Sequence, residues 1–339
     1  MPIDRLIFYV GVLFLMMVPG ILLKKYELVP EGFGKGLSNL VLYIAQPALI
    51  VYAYLASESS FADIWKNALL VLLYSILAHV LFVLVARLFY RHTAVDKTGV
   101  LRFVTVFSNA AFMGIPLIQA ILGAEAAIYA SIYNVTFNLF LWTVGVHYCT
   151  YRGEDLDRDG DSDATDSLIN LGAQSKKEQS LTKVLLHPVT LASFIGILML
   201  AFGVKLETLT TVRLGLLAEG ISMLRSLVAP LSMVVIGLRL PEISWRGLHK
   251  DVSMWYFLLL RHLVLPFAVL VLCKLPALFG LPLPETVCAV VIILAATPAA
   301  TSATMFAEKY NCDAVYVSRL VAVSTLLCIL TMPLLLLLL

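Results

Sequence analysis

Apolar runs of about 20 residues recur along the whole chain, and short polar or charged segments separate them. An α-helix needs about 20 such residues to cross the ~30 Å hydrocarbon core of a bilayer. Ten runs are predicted as membrane-spanning helices: 6–23, 37–56, 68–89, 100–122, 126–148, 184–202, 216–238, 252–272, 286–306 and 314–339. The pattern therefore predicts an all-α, polytopic membrane protein.

Two of these spans, the fourth and the ninth, are interrupted by small, polar and helix-breaking residues. The fourth contains SNAAFMGIP at 108–116, and the ninth contains AATPAATSAT at 295–304. Proline removes a backbone donor and clashes with the preceding turn. A carbonyl released in this way has no water to bind in lipid, so such a segment must be buried in protein or line a cavity. We interpret both spans as broken helices that line a polar site.

The interruptions divide the chain into two similar halves. Residues 1–150 and 184–339 each hold five predicted spans, and the polar segment 151–183 joins them. The second span of each half carries a proline, Pro47 or Pro230, and the fourth span carries the break. An odd number of spans per half inverts one half relative to the other. Inverted repeats whose broken helices meet near the bilayer midplane are typical of secondary transporters.

Positive charge predicts how the protein is oriented. Of the 24 Lys and Arg residues, seventeen lie on one side of the predicted spans and five on the other, with Arg225 and Arg261 inside spans. Positively charged loops stay in the cytoplasm. The segment 151–183 is therefore predicted to be cytoplasmic, and both termini of a multi-pass protein of the cell membrane to be extracytoplasmic.

Composition narrows the function classes further. The chain is 60% hydrophobic and 14% charged, which is not the composition of a soluble domain, and its net charge of +2 gives no basis for a nucleic-acid partner. Its five cysteines occur singly, without the spacing of a metal site, so no cofactor is expected.

The residues at the breaks also carry a family resemblance. The order Asn-x-x-x-Met-Gly-Ile-Pro-Leu at 109–117, the Thr-Pro break followed by MFAEKYNCD at 305–313, and RHLVLP at 261–266 resemble the auxin efflux carrier family. That family includes the plant PIN carriers and bacterial carriers of malate, malonate and similar organic anions. The resemblance implies the fold of sodium/proton antiporters and bile-acid symporters. In that fold a scaffold domain (first, second, sixth and seventh helices) supports a transport domain that moves as an elevator.

The same resemblance implies the partners and the first site residue. The expected partners are a small organic anion, the lipid bilayer and a second copy joined through the scaffold domain. Asn109 is expected to donate a hydrogen bond to a substrate carboxylate, and the alternative is a side chain that caps its own backbone. Pro116 and Pro298 are expected to release backbone groups for the ligand, and Thr297 to add a hydroxyl. Gly114, within the same break, is also predicted to belong to the substrate-binding site.

Other polar residues within the predicted spans complete the candidate site. Asn134 and Asn138 are spaced i, i+4 on one face of the fifth span, where they either line the cavity or join helices. Gln46 is expected to face the cavity from the scaffold side. Arg261 lies too deep to reach the surface easily, so we expect it to support backbone carbonyls or a helix end. Arg225 is shallower and is expected to extend outward.

The function predicted from these features is export of a small organic anion by electrogenic uniport. The middles of the predicted transport-domain spans contain no Asp or Glu that would bind a coupling ion. The alternative is a sodium- or proton-coupled symporter whose cation is bound by carbonyls and hydroxyls. A channel remains a rival, and a membrane-embedded enzyme is disfavoured because G-x-S-x-G, H-E-x-x-H and paired intramembrane aspartates are missing from the sequence.

The segment 151–183 contains DLDRDGDSDATD, which has the spacing of a calcium-binding loop. Asp155, Asp157, Asp159, Asp161 and Asp166 occupy ligand positions 1, 3, 5, 7 and 12 of that motif. Position 12 is Asp rather than the bidentate Glu, and no amphipathic helix pair flanks the loop. A run of like charge is more typical of a solvated linker, so calcium binding is the weaker interpretation.

Overall fold

The computed structural model describes residues 3–93, 95–150, 186–206, 212–242, 250–310 and 312–337. The α-helices are α1 Ile3–Leu15, α2 Met17–Lys25, α3 Phe33–Leu40, α4 Gln46–Leu55, α5 Phe61–Phe89, α6 Val95–Val106, α7 Ile115–Leu122, α8 Ala124–Phe140, α9 Val146–Thr150, α10 Pro188–Ala201, α11 Val212–Ser226, α12 Val228–Arg239, α13 Val252–Leu259, α14 Leu265–Lys274, α15 Glu285–Ala296, α16 Ser302–Lys309 and α17 Ala314–Leu336. The described residues form no β-strand, so the predicted all-α class is confirmed.

Six helical stretches among the described residues are long and apolar enough to cross a membrane. They are Phe8–Lys25, Phe33–Leu55, Phe61–Phe89, Gly215–Arg239, Val252–Phe279 and Ala314–Leu335. Shorter apolar helices cover Ala110–Leu122, Pro188–Ala201 and Glu285–Ala296. The fourth and ninth predicted spans are not among the six because their helices are divided into shorter pieces. The fifth is not among them because Asn134 and Asn138 lower its mean hydropathy. These helices are those of a polytopic membrane protein.

Proline residues explain most of the places where the long helices change to a wider, π-helical turn. Within the described residues, four π-helical turns interrupt them: Val41–Ala45, Ala110–Gly114, Leu141–Gly145 and Leu260–Val264. Directly after three of these turns, Pro47, Pro116 and Pro266 stand in the first turn of the next α-helix. A proline ring clashes with the carbonyl four residues earlier, and a wider turn makes room for it.

One group of helices is held together by very close backbone contacts. A Cβ added to Gly237 of α12 would collide with the Met17 carbonyl of α2, and one added to Gly20 would collide with the Val234 carbonyl. Small residues allow membrane helices to approach in this way. Since α4 also packs against α10 and α11, the predicted first, second, sixth and seventh spans form one packed group.

The remaining helices pack mainly on one another. α8 lies against α5 and α7, α15 lies against α14 and α5, and α16 lies against α17. The two groups meet where α4 contacts α8 and where α12 contacts the π-helical turn Ala110–Gly114. This boundary positions the site described next.

Candidate functional site

The two broken helices cross, and their interruptions bind each other through the backbone. The Asn109 N–H donates to the Pro298 carbonyl at 2.7 Å, and the Ala300 N–H donates to the Phe107 carbonyl at 2.9 Å. These bonds form an isolated antiparallel bridge between Ser108 and Ala299. Because the two segments run in opposite directions, α7 and α16 leave the crossing toward opposite ends of the molecule.

A glycine allows this crossing to be tight. A Cβ added to Gly114 would collide with the Leu294 side chain and would lie 3.3 Å from Cγ2 of Thr297. Gly114 is fully enclosed and ends the π-helical turn that begins after Asn109. The predicted site residue Gly114 therefore lies at the crossing, where it permits packing between the two breaks.

Arg261 ties together the carbonyl ends of both broken helices. Its side chain is 0% exposed. Nη1 donates to the Thr105 carbonyl at 3.1 Å, Nη2 to the Ala295 carbonyl at 2.7 Å, and Nε and Nη2 to the Thr297 carbonyl at 3.1 and 2.7 Å. Helix C-terminal ends carry partial negative charge, which a guanidinium offsets. Arg261 thus stabilises the crossing and brings a positive charge to it.

His262, which follows Arg261, also stabilises the crossing. The sequence analysis did not predict this role. Nε2 of His262 lies 2.8 Å from the Ser324 hydroxyl, whose oxygen accepts the Ala299 N–H at 3.0 Å. Nδ1 of His262 lies 3.0 Å from the Thr331 hydroxyl. The histidine was visible within RHLVLP, but no pattern in the sequence links it to Ser324, 62 residues away.

Asn109 has a side-chain amide with an unused donor. It occupies the N-cap position directly before the turn Ala110–Gly114, yet its side chain makes no capping hydrogen bond, so the capping alternative is wrong. Oδ1 accepts a bond from the Thr301 hydroxyl at 3.4 Å, while Nδ2 is buried without a hydrogen-bond partner. A buried amide of this kind is costly unless another group binds it.

The other predicted site residues are buried, and their polar atoms are only partly hydrogen-bonded. Nε2 of Gln46 donates to the Ala111 carbonyl at 2.5 Å, which ties α4 to the turn after the first break. The Thr297 hydroxyl donates to Leu294 of its own helix at 2.9 Å. Asn134 and Asn138 are buried on α8, which packs on the turn Ala110–Gly114, and Oδ1 of the first and Nδ2 of the second have no partner.

A cavity of about 470 Å³ opens beside one end of the crossing. Its walls come from α4, α7, the start of α8, and the helices α11 and α12, and its lining includes Leu49, Tyr52, Pro116, Gln119, Arg225 and Ala229. Asn109 is 2% exposed and does not line this cavity. The predicted residue Pro116 therefore connects the cavity with the crossing, whereas Asn109 is enclosed.

The opposite end of the crossing is much more closed. Arg239, Thr301, Thr304 and Ser318 line a cleft there of only about 10 Å³. α12 passes this cleft, and its start passes the larger cavity, so one helix borders both.

Arg225 does not simply extend outward. Its guanidinium carbon lies 3.7 Å above the centre of the Tyr52 ring, in the lining of the larger cavity. Nε of Arg225 is buried without a hydrogen-bond partner.

The candidate calcium residues Asp155, Asp157, Asp159, Asp161 and Asp166 lie outside the described residues. Within the part of the chain that the structure describes, no group of three or more His, Cys, Asp or Glu residues is placed to hold a metal ion.

Comparison with known proteins supplies the family. A family model described as "Membrane transport protein" matches residues 7–336 of the chain. The match covers nearly the whole chain and confirms the resemblance to the auxin efflux carrier family, which is a family of transporters and not of enzymes. No curated protein matches the chain.

Proposed function

Because this chain belongs to the membrane transport protein family that includes the auxin efflux carriers, we propose that it is a carrier of small organic anions. The observation that carries this proposal is the unpartnered amide of Asn109 at the crossing. A carboxylate accepts hydrogen bonds from N–H donors and gains more from them than a neutral acceptor does. An anion at the crossing would satisfy this donor.

The charge at the crossing supports an anionic substrate. Arg261 is bonded to three backbone carbonyls, which carry no formal charge, so none of these hydrogen-bond partners is a carboxylate. A charge in the membrane interior is expensive and generally functional. The field of Arg261 favours an anion and disfavours a cation near Asn109.

We assign the helices to two inverted five-span repeats on the basis of the antiparallel bridge between Ser108 and Ala299. The packed group of the first, second, sixth and seventh spans then serves as the scaffold, and the crossing belongs to the domain that moves. Movement of the crossing past α4 and α12 would expose the site alternately to the two sides. Pairing of two copies through the scaffold belongs to the same proposal.

The distribution of positive charge supports an orientation in which the larger cavity opens to the extracytoplasmic side. This cavity borders the end of α4 that leads into Glu58 and Ser59, a segment with few basic residues. The small cleft at Arg239 faces the cytoplasm in this arrangement. The structure then corresponds to a carrier that is open to the outside and closed to the inside.

The proposal includes export by electrogenic uniport. A membrane potential does work of ~2.3 kcal/mol on each charge per 100 mV, which drives an anion out of a cell with a negative interior. Arg261 moves with the crossing and returns with it, so over a complete transport cycle the net charge moved is that of the anion.

The proposal is tested first by ligand binding to the purified protein. Phenylacetate, malate and malonate are added separately, and thermal unfolding is followed. At least one carboxylate is expected to raise the unfolding temperature, because a ligand that binds the folded state stabilises it. The Asn109→Ala variant should lose most of this rise, while Asn39→Ala, at an exposed asparagine, should keep it. Equal shifts in both variants would count against the Asn109 site.

A further inference from the structure

The fold brings together two cysteines that lie far apart in the sequence. Cys149 follows the fifth predicted span, and Cys312 lies 163 residues later, between α16 and α17. Sγ of Cys312 donates to the Cys149 carbonyl at 2.9 Å, and the two thiols are hydrogen-bonded to each other. Both residues are thiols in this structure. Cysteines that occur singly in the sequence are therefore neighbours in the folded chain.

Two helix caps fix the position of Cys312. Its N–H donates to the Ala307 carbonyl at 2.8 Å, which closes the end of α16. The next residue, Asp313, accepts the Tyr316 N–H at 2.8 Å and so caps the start of α17. Cys312 thus lies in a short turn between two capped helices, where its own backbone belongs to neither helix. A residue in such a turn can shift slightly to form a new bond.

Aromatic contacts place α16 beside the end of the fifth span. The centre of the Trp142 ring lies 5.2 Å from that of Phe306, and the Phe306 ring lies 5.8 Å from that of Tyr310. Ring pairs at these distances stabilise close packing. α9, which carries Cys149, packs against both α6 and α16. These contacts hold the turn at Cys312 against Cys149.

The surroundings of this pair allow a thiolate to form. Cys149 is buried and Cys312 is partly exposed, and both lie outside the apolar runs predicted to span the membrane. The hydrogen bond with Cys312, together with burial, raises the pKa of the Cys149 thiol. Cys149 therefore keeps its proton, and Cys312 is the thiol that ionises. Cys273 and Cys288 are also close, but they lie within the apolar helices α14 and α15, where a thiolate would be desolvated.

We infer that Cys149 and Cys312 form a reversible redox site, in which a hydroperoxide oxidises the pair to a disulfide that joins the two halves of the chain. The Cys312 thiolate attacks one peroxide oxygen, the O–O bond breaks, and the released hydroxide takes up a proton to leave as water. The Cys149 sulfur then attacks the sulfenic acid on Cys312. The S–S bond forms, the S–O bond breaks, and a second water leaves with the Cys149 proton.

The reaction balances without any other reactant. Two electrons and two protons pass from the thiols to hydrogen peroxide, which becomes two waters, and a dithiol reductant reverses the step. In the proposed orientation the pair faces the cytoplasm, where reductants keep thiols reduced, so the disulfide forms when peroxide rises. The bond fixes α9 to the end of α16, the helix that begins after the second break. The compartment rests on the proposed function, whereas the chemistry is tested on the purified protein.

The test uses the purified full chain with a site for a specific protease inserted after Ser167. Cleavage there leaves Cys149 as the single cysteine of the first half, so a disulfide between the halves must contain it. The protein is treated with hydrogen peroxide, its remaining thiols are blocked with a maleimide, and it is then cleaved. We expect most of it to stay joined on a denaturing gel without reductant. Dithiothreitol should separate the halves.

Matched variants identify the partner of Cys149. Cys312→Ser and Cys149→Ser should both lose the joined product. Cys288→Ser changes another partly exposed cysteine of the second half and should keep it. A chain unfolded in sodium dodecyl sulfate before oxidation should give little joined product, because the pairing depends on the fold. The uncut oxidised chain should run as a monomer, since the bond forms within one copy.

Three results would overturn the site. They are separated halves after oxidation of the wild type, a joined product that persists in Cys312→Ser, and a disulfide that links two copies of the chain. If a serine variant cannot be purified, peptide mass spectrometry of the oxidised wild type decides, because a Cys149–Cys312 peptide supports the site and any other pairing of Cys149 refutes it. Each readout is independent of anion binding and flux, so failure here leaves the proposed function standing.

Discussion

The stability of the crossing depends on Arg261, and its removal gives the sharpest structural prediction. Arg261→Met leaves a side chain of similar length that makes none of the four hydrogen bonds to the Thr105, Ala295 and Thr297 carbonyls. Each buried carbonyl that loses its partner costs about 1–3 kcal/mol. Part of that sum is recovered because the desolvated charge is removed as well. We expect a net loss of about 3 kcal/mol in the free energy of unfolding.

The assay is thermal unfolding of purified protein, with Arg91→Met as a control at an exposed arginine. The midpoint of Arg261→Met should fall by a few degrees relative to the wild type, and Arg261→Lys should fall between the two because a single ammonium reaches fewer carbonyls. The Arg91→Met control should have the same unfolding midpoint as the wild type. A midpoint of Arg261→Met at or above that of the wild type would refute the assignment of Arg261 as the link between the broken helices.

Three further predictions follow from the site, the packing and the orientation. Asn109→Ala should weaken binding of the transported anion by about 1–3 kcal/mol, as measured by titration calorimetry, and unchanged affinity in a folded variant would exclude the amide as a ligand. Gly237→Ala should lower the free energy of unfolding by about 1–3 kcal/mol, because the added methyl collides with the backbone of α2. Gly11→Ala is the control, because a methyl there has no atom within 4 Å, and equal unfolding midpoints of the two variants would contradict the close packing. Glu58 and His92 are exposed and flank opposite ends of α5, so labelling of cysteines at these positions tests the orientation. In a chain whose native cysteines are replaced, Glu58→Cys should react with an impermeant maleimide in intact cells, and His92→Cys only after lysis. The reverse pattern would invert the orientation.

The broken helices were predictable because lipid imposes a strict rule on the backbone. Glycine, proline and asparagine within an apolar run, such as Gly114 and Pro116, must be compensated inside the protein. From that rule alone the sequence indicates two breaks, and the structure shows that they bind each other at Ser108 and Ala299.

The partners of the charged residues could not be predicted in the same way. Arg261 was expected to support carbonyls, but one of its acceptors lies 156 residues away and another 36, and no periodicity connects these positions. Arg225 was expected to extend outward because depth along a helix can be counted from sequence, whereas the Tyr52 ring beside it comes from a separate span. Contacts between spans depend on helix rotation, which hydrophobic runs leave undetermined.

The central claim is that the chain carries an organic anion across the membrane, and efflux under a set voltage tests it most directly. Proteoliposomes are loaded with the carboxylate that gives the largest thermal shift, and a potassium-diffusion potential makes the interior negative. Efflux is predicted to exceed that of protein-free liposomes and to need no sodium or pH gradient. It should also become faster with the potential, which supplies a driving force of ~2.3 kcal/mol per charge per 100 mV. Efflux that requires either gradient would replace uniport by coupled transport. Efflux no faster than that of protein-free liposomes, for every carboxylate that binds, would contradict the account.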